Sequence, residues 1–92
     1  MEEFKRIINM LLDFHIEQLN KIGTEKESST VALKRCQYTI DYLGLFNSQI
    51  SNAIEIHFGD RELADVEKNI IKEAFGIFCF SGMPKIKYSK LS

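Results

Sequence analysis

The sequence predicts an all-α fold: a small bundle of three to four helices followed by a short C-terminal extended arm or hairpin. Apolar residues recur at helical spacing over most of the chain, and the single proline, Pro84, lies near its end. Isolated glycines close the periodic stretches, at Gly23, Gly44, Gly59 and Gly76. A chain of 92 residues is expected to form one domain. Residues 1–76 are expected to form the bundle, and residues 77–92 an apolar and basic arm that packs on the bundle or on a partner.

The first predicted helix covers residues 3–22 and is amphipathic. Its apolar side consists of Phe4, Ile7, Ile8, Leu11, Leu12, Leu19 and Ile22. Gly23 is expected to end this helix, because glycine readily adopts the left-handed conformation of a helix C-terminus. The next helix is expected to begin at Thr24, whose hydroxyl would form a capping box with Glu27. A start at Ser28 or Ser29 is the alternative.

The second predicted helix buries an apolar stripe, with Ala32 and Thr39 beside it. The stripe consists of Leu33, Cys36, Ile40 and Leu43. Gly44 leaves two interpretations open. A break there would end the helix, and a new helix would start at Asn47 or Ser48.

The other interpretation is a helix that continues through Gly44. The stripe would then extend as a heptad seam to Ile54, with Asn47 at an a position, where asparagine sets register in coiled coils. A helix from Glu25 to Phe58 would be about 51 Å long. That length exceeds what a compact chain of this size can cover, so it would require a partner chain.

Helical apolar periodicity continues in the remaining segments up to Gly76. Before Gly59, the expected core residues are Ile50, Ala53, Ile54 and Phe58. Asp60 is expected to cap a last helix that Gly76 ends. The core side of that helix is predicted to consist of Leu63, Val66, Ile70 and Ala74. The apolar run 77–80 and the alternating segment 85–88 then predict a hairpin or an extended arm.

The second helix carries a surface that its predicted core stripe does not explain. Two tyrosines and an arginine lie opposite the stripe, where a solvated helix would carry mainly Glu, Lys and Gln. The predicted interaction residues are Val31, Lys34, Arg35, Tyr38 and Tyr42, with Phe78 and Phe80 of the apolar run. Contact with a partner chain is the favoured interpretation, because such residues are typical of interface centres. Cover by another part of the same chain and simple exposure are the alternatives.

No catalytic or metal centre is expected. The only histidines and cysteines are His15, Cys36, His57 and Cys79, which are far apart in the sequence. Structural zinc sites typically show close ligand pairs, and none is present here. The paired carboxylates lie at predicted helix starts, and the glycines are isolated, so no phosphate-binding loop is indicated. The chain is therefore expected to be no enzyme and to need no cofactor.

The amino-acid composition disfavours several classes of partner and location. Twelve basic and thirteen acidic residues nearly cancel, which disfavours nucleic acid as a partner. No run of 18 apolar residues is present, so no membrane span is expected. Two cysteines without a signal peptide suggest the cytoplasm. The content of Ile, Lys and Asn is compatible with an AT-rich bacterial, phage or viral genome.

These observations predict a small non-enzymatic helical protein that acts by protein–protein binding, as a regulator, inhibitor or adaptor. It is expected to form a homodimer or a higher oligomer, and to bind a further protein whose identity the sequence does not reveal. The alternative is a protein that binds a small anionic or nucleotide-like ligand at a subunit junction. In that case Arg35, Lys34 and the tyrosines would hold the ligand.

Overall fold

The computed structural model describes residues 2–24 and 28–81. They form three helices: α1 (Glu2–Ile22), α2 (Ser29–Phe58) and α3 (Asp65–Phe80). The predicted all-α bundle is therefore confirmed. Within the described residues, no helix is both long and apolar enough to cross a membrane.

The core lies where the three helices meet. It consists of Phe4, Ile8, Leu12, Phe46, Ile50, Ile70, Ala74, Ile77 and Phe78. The predicted apolar side of α1 is confirmed, since Phe4, Ile8 and Leu12 are almost completely buried. Burying such side chains stabilises the fold by about 1.5–3 kcal/mol each. The bundle therefore depends on a few large residues from each helix.

Helix α2 runs without a break through Gly44, so the continuous helix is correct and the break is wrong. Its 30 residues span about 45 Å. Gly44 does not have a positive φ angle, unlike Gly59, where α2 ends as predicted with φ at +78°. A glycine inside an exposed helix costs about 1 kcal/mol relative to alanine, which is too little to interrupt a helix that packs well on either side.

Helix α2 also begins later than the capping box predicted. Ser28 is its N-cap, and the Ser28 hydroxyl accepts a hydrogen bond from the Val31 backbone N–H at 3.4 Å. The prediction of Thr24 as the cap is therefore wrong, and the alternative start after Ser28 is correct. Glu27, the other member of the predicted box, lies outside the described residues.

Both ends of α3 differ from the prediction. The helix begins at Asp65 rather than after Asp60. Its start is fixed by Glu67, whose carboxylate accepts hydrogen bonds from the Ala64 backbone N–H and from the Arg61 guanidinium, at 3.0 and 2.8 Å. Glu67 therefore takes the inward position, and Val66, predicted as core, is exposed.

At its other end α3 continues past Gly76 to Phe80, so the prediction that Gly76 ends the helix is wrong. Ile77 and Phe78 are buried together with Ala74. This burial favours the helix over the extended run predicted for residues 77–80. The rest of the predicted arm, residues 82–92, lies outside the described residues.

The orientation of α2 is the main correction. The predicted core stripe is wrong, because Leu33 is 70% and Ile40 is 69% exposed. The residues of α2 that are buried are Arg35, Thr39, Phe46 and Ile50. Arg35, from the side that was predicted to contact a partner, therefore packs into the bundle, whereas Lys34 and Tyr42 of that side are exposed. Much of the predicted core side faces outward.

Candidate interaction surface

Arg35 determines which side of α2 faces inward. Its guanidinium donates hydrogen bonds to the backbone carbonyls of Leu19 and Gly23 at the end of α1, at 2.9 and 2.6 Å. It also donates to the carbonyl of Ser81, just beyond α3, at 3.3 Å. The carbonyl ends of helices are negatively polarised, so they suit a buried cation. Burial lowers the pKa of Arg35 from its ordinary value.

The tyrosines of α2 belong to a ladder of stacked rings. Tyr42 stacks on Tyr38 with ring centroids 4.4 Å apart, and Tyr38 lies 5.7 Å from His15. The ladder continues from His15 to Phe78 at 3.7 Å and from Phe78 to Phe46 at 4.3 Å. Stacked rings contribute beyond their buried area, by roughly 0.5–1.5 kcal/mol for each pair. The tyrosine side of α2 is therefore largely explained by packing within the chain.

His15 lies inside this ladder in its neutral form. Burial lowers the pKa of His15 to about 4, and a hydrogen bond to the Phe78 backbone opposes this effect. The positive charge of Arg35 lowers the pKa further. The Nε2 atom is buried and has no hydrogen-bond partner in the described structure. A group held in this way is poorly placed for proton transfer at neutral pH.

The seven predicted interaction residues have different environments. Arg35 and Phe78 are buried within the chain, and Val31 is half-buried against Gly23. Lys34, Tyr42 and Phe80 are exposed, while Tyr38 is half-buried. The structure brings Tyr38, Tyr42 and Phe78 into one ladder of stacked rings. Arg35 instead connects the three helices by hydrogen bonds inside the bundle. That these residues contact a partner stays a prediction. Arg35 is poorly placed to hold an anionic ligand, because it is buried and its Nη1 and Nη2 atoms donate to backbone carbonyls.

The outward side of α2 carries an apolar row that we call the outer seam: Leu33, Cys36, Ile40, Leu43 and Asn47. Leu33 and Ile40 are about 70% exposed and Leu43 is 37% exposed. All five occupy successive a and d positions of one heptad pattern. The pattern was visible in the sequence, but it was interpreted mainly as the core of the bundle.

The outer seam leads into a groove of about 370 Å³, which we call the end groove. It is lined by Asn47, Ile50, Ser51, Ile54, Glu55, Gly59, Asp60, Arg61, Leu63 and Ile71. Its apolar lining residues include Ile50 and Ile54, the next two positions of the same heptad pattern. Asn47 belongs to both, so the seam and the groove form one continuous surface.

A smaller apolar area lies between α1 and α2. Phe14 is 53% and Leu45 is 50% exposed, and both line a cleft of only about 20 Å³ beside Tyr42. That volume corresponds to about one water molecule. This area is therefore a shallow depression, and it presents less apolar surface to a partner than the outer seam does.

The possible metal ligands are not gathered at one point. Among residues 2–24 and 28–81, no group of three His, Cys, Asp or Glu side chains is arranged to hold a metal ion. His15 is enclosed by rings, whereas His57 and Cys79 are exposed. Cys36 and Cys79 are free thiols. The absence of a metal and of a cofactor stays a prediction.

Comparison with known protein families, with curated proteins and with solved structures finds no match to this chain. Inferences about function therefore rest on the residues themselves.

Proposed function

We propose that this chain is a small non-enzymatic interaction protein that acts by protein–protein binding and self-associates through the outer seam. The observation that carries the proposal is the exposure of Leu33, Ile40 and Leu43 at heptad spacing on one continuous helix. Scattered apolar residues on a surface are ordinary, but a periodic row along one helix is typical of a helix-pairing surface.

The energetic argument supports the same proposal. Burying one leucine or isoleucine side chain fully stabilises an association by about 1.5–3 kcal/mol. In a twofold dimer every contact occurs twice, so Leu33 and Ile40 together would supply four such side chains. This gain is large enough to offset part of the entropy that two chains lose when they associate.

The titratable groups in the interior support a non-enzymatic role. Arg35 is engaged by helix-end carbonyls, and His15 is enclosed between rings. The Arg61 guanidinium and the backbone N–H of Ala64 lower the pKa of Glu67 to about 2. Each of these three groups is engaged in contacts that stabilise the fold. None of them has a perturbed pKa and also lies in a cleft that a substrate could enter.

Light scattering coupled to size exclusion tests the proposal. The wild-type chain should elute at twice its mass of 10.7 kDa or more at micromolar concentration. Ile40→Glu should shift it to monomer, because the change places a charge in the middle of the outer seam. Asn52→Glu is the matched control, since Asn52 is exposed on the same helix but lies off the seam. A wild-type monomer at high concentration would contradict the proposal.

A further inference from the structure

We infer that the partner is a second copy of this chain, and that the two α2 helices lie antiparallel with Leu33 of each copy inserted into the end groove of the other. This inference rests on the proposed function and specifies its partner and geometry. It starts from a feature of the single chain: the same surface carries the exposed side chain of Leu33 and a groove that is lined by both apolar and polar residues.

The heptad pattern fixes which residues meet. In an antiparallel pair, each core layer joins an a position of one helix to a d position of the other. One register pairs Ile40 with Leu43 of the other copy at the twofold axis. It then pairs Cys36 with Asn47 and Leu33 with Ile50, each pair occurring twice. Ile50 is only 3% exposed, but it lines the end groove together with the half-buried Ile54. The register that pairs Ile40 with Leu43 therefore also brings Leu33 to the end groove.

The neighbouring registers fit less well. A shift of one heptad in one direction pairs Leu33 with Leu43 and leaves both end grooves empty. A shift in the other direction places Leu33 opposite His57, which is exposed and polar. In the inferred register, Leu33 and Ile50 lie at equal distances of about 13 Å on either side of the axis along the helix.

If the α2 helices of the two copies were parallel, no side chain would enter the end groove. A parallel pair would place Leu33 opposite Leu33 and each end groove opposite the other, so neither groove would receive a side chain. Antiparallel helices also place opposite ends of their dipoles side by side, which is the favourable arrangement. The shape of this surface and its electrostatics therefore favour the same orientation.

Two identical surfaces can meet here without like-charge repulsion. The outer seam contains no charged residue, and its outward flank consists of Gln37, Gly44 and Ser51. A Cβ atom at Gly44 would meet nothing within 4 Å, so this flank leaves space for a neighbouring helix. The charged residues of this surface, Glu55, Asp60 and Arg61, are confined to the end groove and carry both signs. The apolar, uncharged seam therefore suits a second copy better than a charged partner.

A disulfide cross-link tests this geometry. Asn47→Cys should form a disulfide with Cys36 of the other copy under mild oxidation, in a Cys79→Ser background. Within one helix the two positions are about 16 Å apart, too far for a disulfide bond, so only an interchain bond can form. Asn52→Cys in the same background is the control and should give no comparable yield. Leu33→Ala should weaken dimerisation at least tenfold, because it empties both grooves.

The outcomes separate this inference from the proposed function. A dimer in light scattering that yields no more cross-link with Asn47→Cys than with Asn52→Cys would overturn the inferred geometry and leave the function standing. Efficient Cys36–Cys36 cross-linking in the Cys79→Ser chain would indicate a parallel pair and overturn it as well. A chain that stays monomeric would overturn the proposed function itself.

Discussion

The imidazole of His15 lies nearly flat against the ring of Phe78, with ring centroids 3.7 Å apart. The contact joins the middle of α1 to the last turns of α3. His15 is buried there in its neutral form, and a positive charge at this position would lie close to the Arg35 guanidinium. The stability of the bundle should therefore depend on whether His15 is protonated.

We predict that the free energy of unfolding falls as the pH is lowered from about 6.5 to about 4. The pKa of His15 is about 4 in the folded chain, against 6.5 for an unperturbed histidine. In this window the unfolded chain therefore binds more protons, so acid favours unfolding. A shift of this size corresponds to roughly 3 kcal/mol, and the full stabilisation is present above pH 6.5. Urea denaturation measured at half-unit pH steps checks the slope.

His15→Phe is the control for this prediction. It keeps a ring in the stack and removes the proton-binding group. Its stability should vary little between pH 6.5 and pH 5, where the carboxylates are still ionised. An identical slope in the wild type and the variant would show that another group causes the pH dependence.

Arg35→Met should lower the free energy of unfolding by about 3 kcal/mol. The variant keeps an apolar side chain of similar length but leaves the carbonyls of Leu19, Gly23 and Ser81 without their donor. Lys34→Met is the matched control, because Lys34 is the exposed neighbour and its replacement should change stability by less than about 0.5 kcal/mol. Equal effects of the two changes in guanidinium denaturation would contradict the anchoring role of Arg35.

Ser28→Ala should destabilise the chain by about 1 kcal/mol, the usual effect of losing an N-cap side chain. The hydroxyl of Ser28 accepts the Val31 backbone N–H, whereas Thr24 is exposed and precedes the helix. Thr24→Ala should therefore leave the denaturation midpoint nearly unchanged. The reverse order of the two effects would show that the helix begins at Thr24.

Two glycine substitutions should act in opposite directions. Gly44→Ala should stabilise the monomer by about 1 kcal/mol, because it replaces an exposed helical glycine whose Cβ position is empty. Gly59→Ala should destabilise it by about 1–2 kcal/mol, because the φ angle of +78° strains any residue that carries a Cβ atom. Thermal denaturation at sub-micromolar concentration, where self-association is weak, measures both effects.

The helical class and the core side of α1 could be predicted from the sequence, because apolar periodicity is strong in that segment. The orientation of α2 could not. Both of its sides are apolar, so periodicity alone does not indicate which one faces inward. Arg35 fixes the orientation of α2 by donating hydrogen bonds to carbonyls of residues that are distant in the sequence. The pattern of apolar residues along α2 does not reveal such contacts.

The open question at Gly44 and the error at Gly76 share one physical cause. Glycine favours a helix end, but its cost inside a helix is only about 1 kcal/mol. Burial of Phe46 beyond the first glycine, and of Ile77 and Phe78 beyond the second, outweighs that cost. The sequence offered the outer seam as one of two interpretations, and the exposure of Leu33 and Ile40 makes it a candidate site.

The hydrogen bonds of Arg35 have a consequence for how the chain unfolds. One side chain on α2 holds the end of α1 and the residue after α3 at the same time. Detaching either end exposes an unpaired carbonyl and leaves a buried cation with fewer acceptors, which weakens the remaining attachment. The three helices are therefore expected to separate in a single cooperative transition, with amide protons near the Arg35 contacts exchanging only when the whole bundle opens.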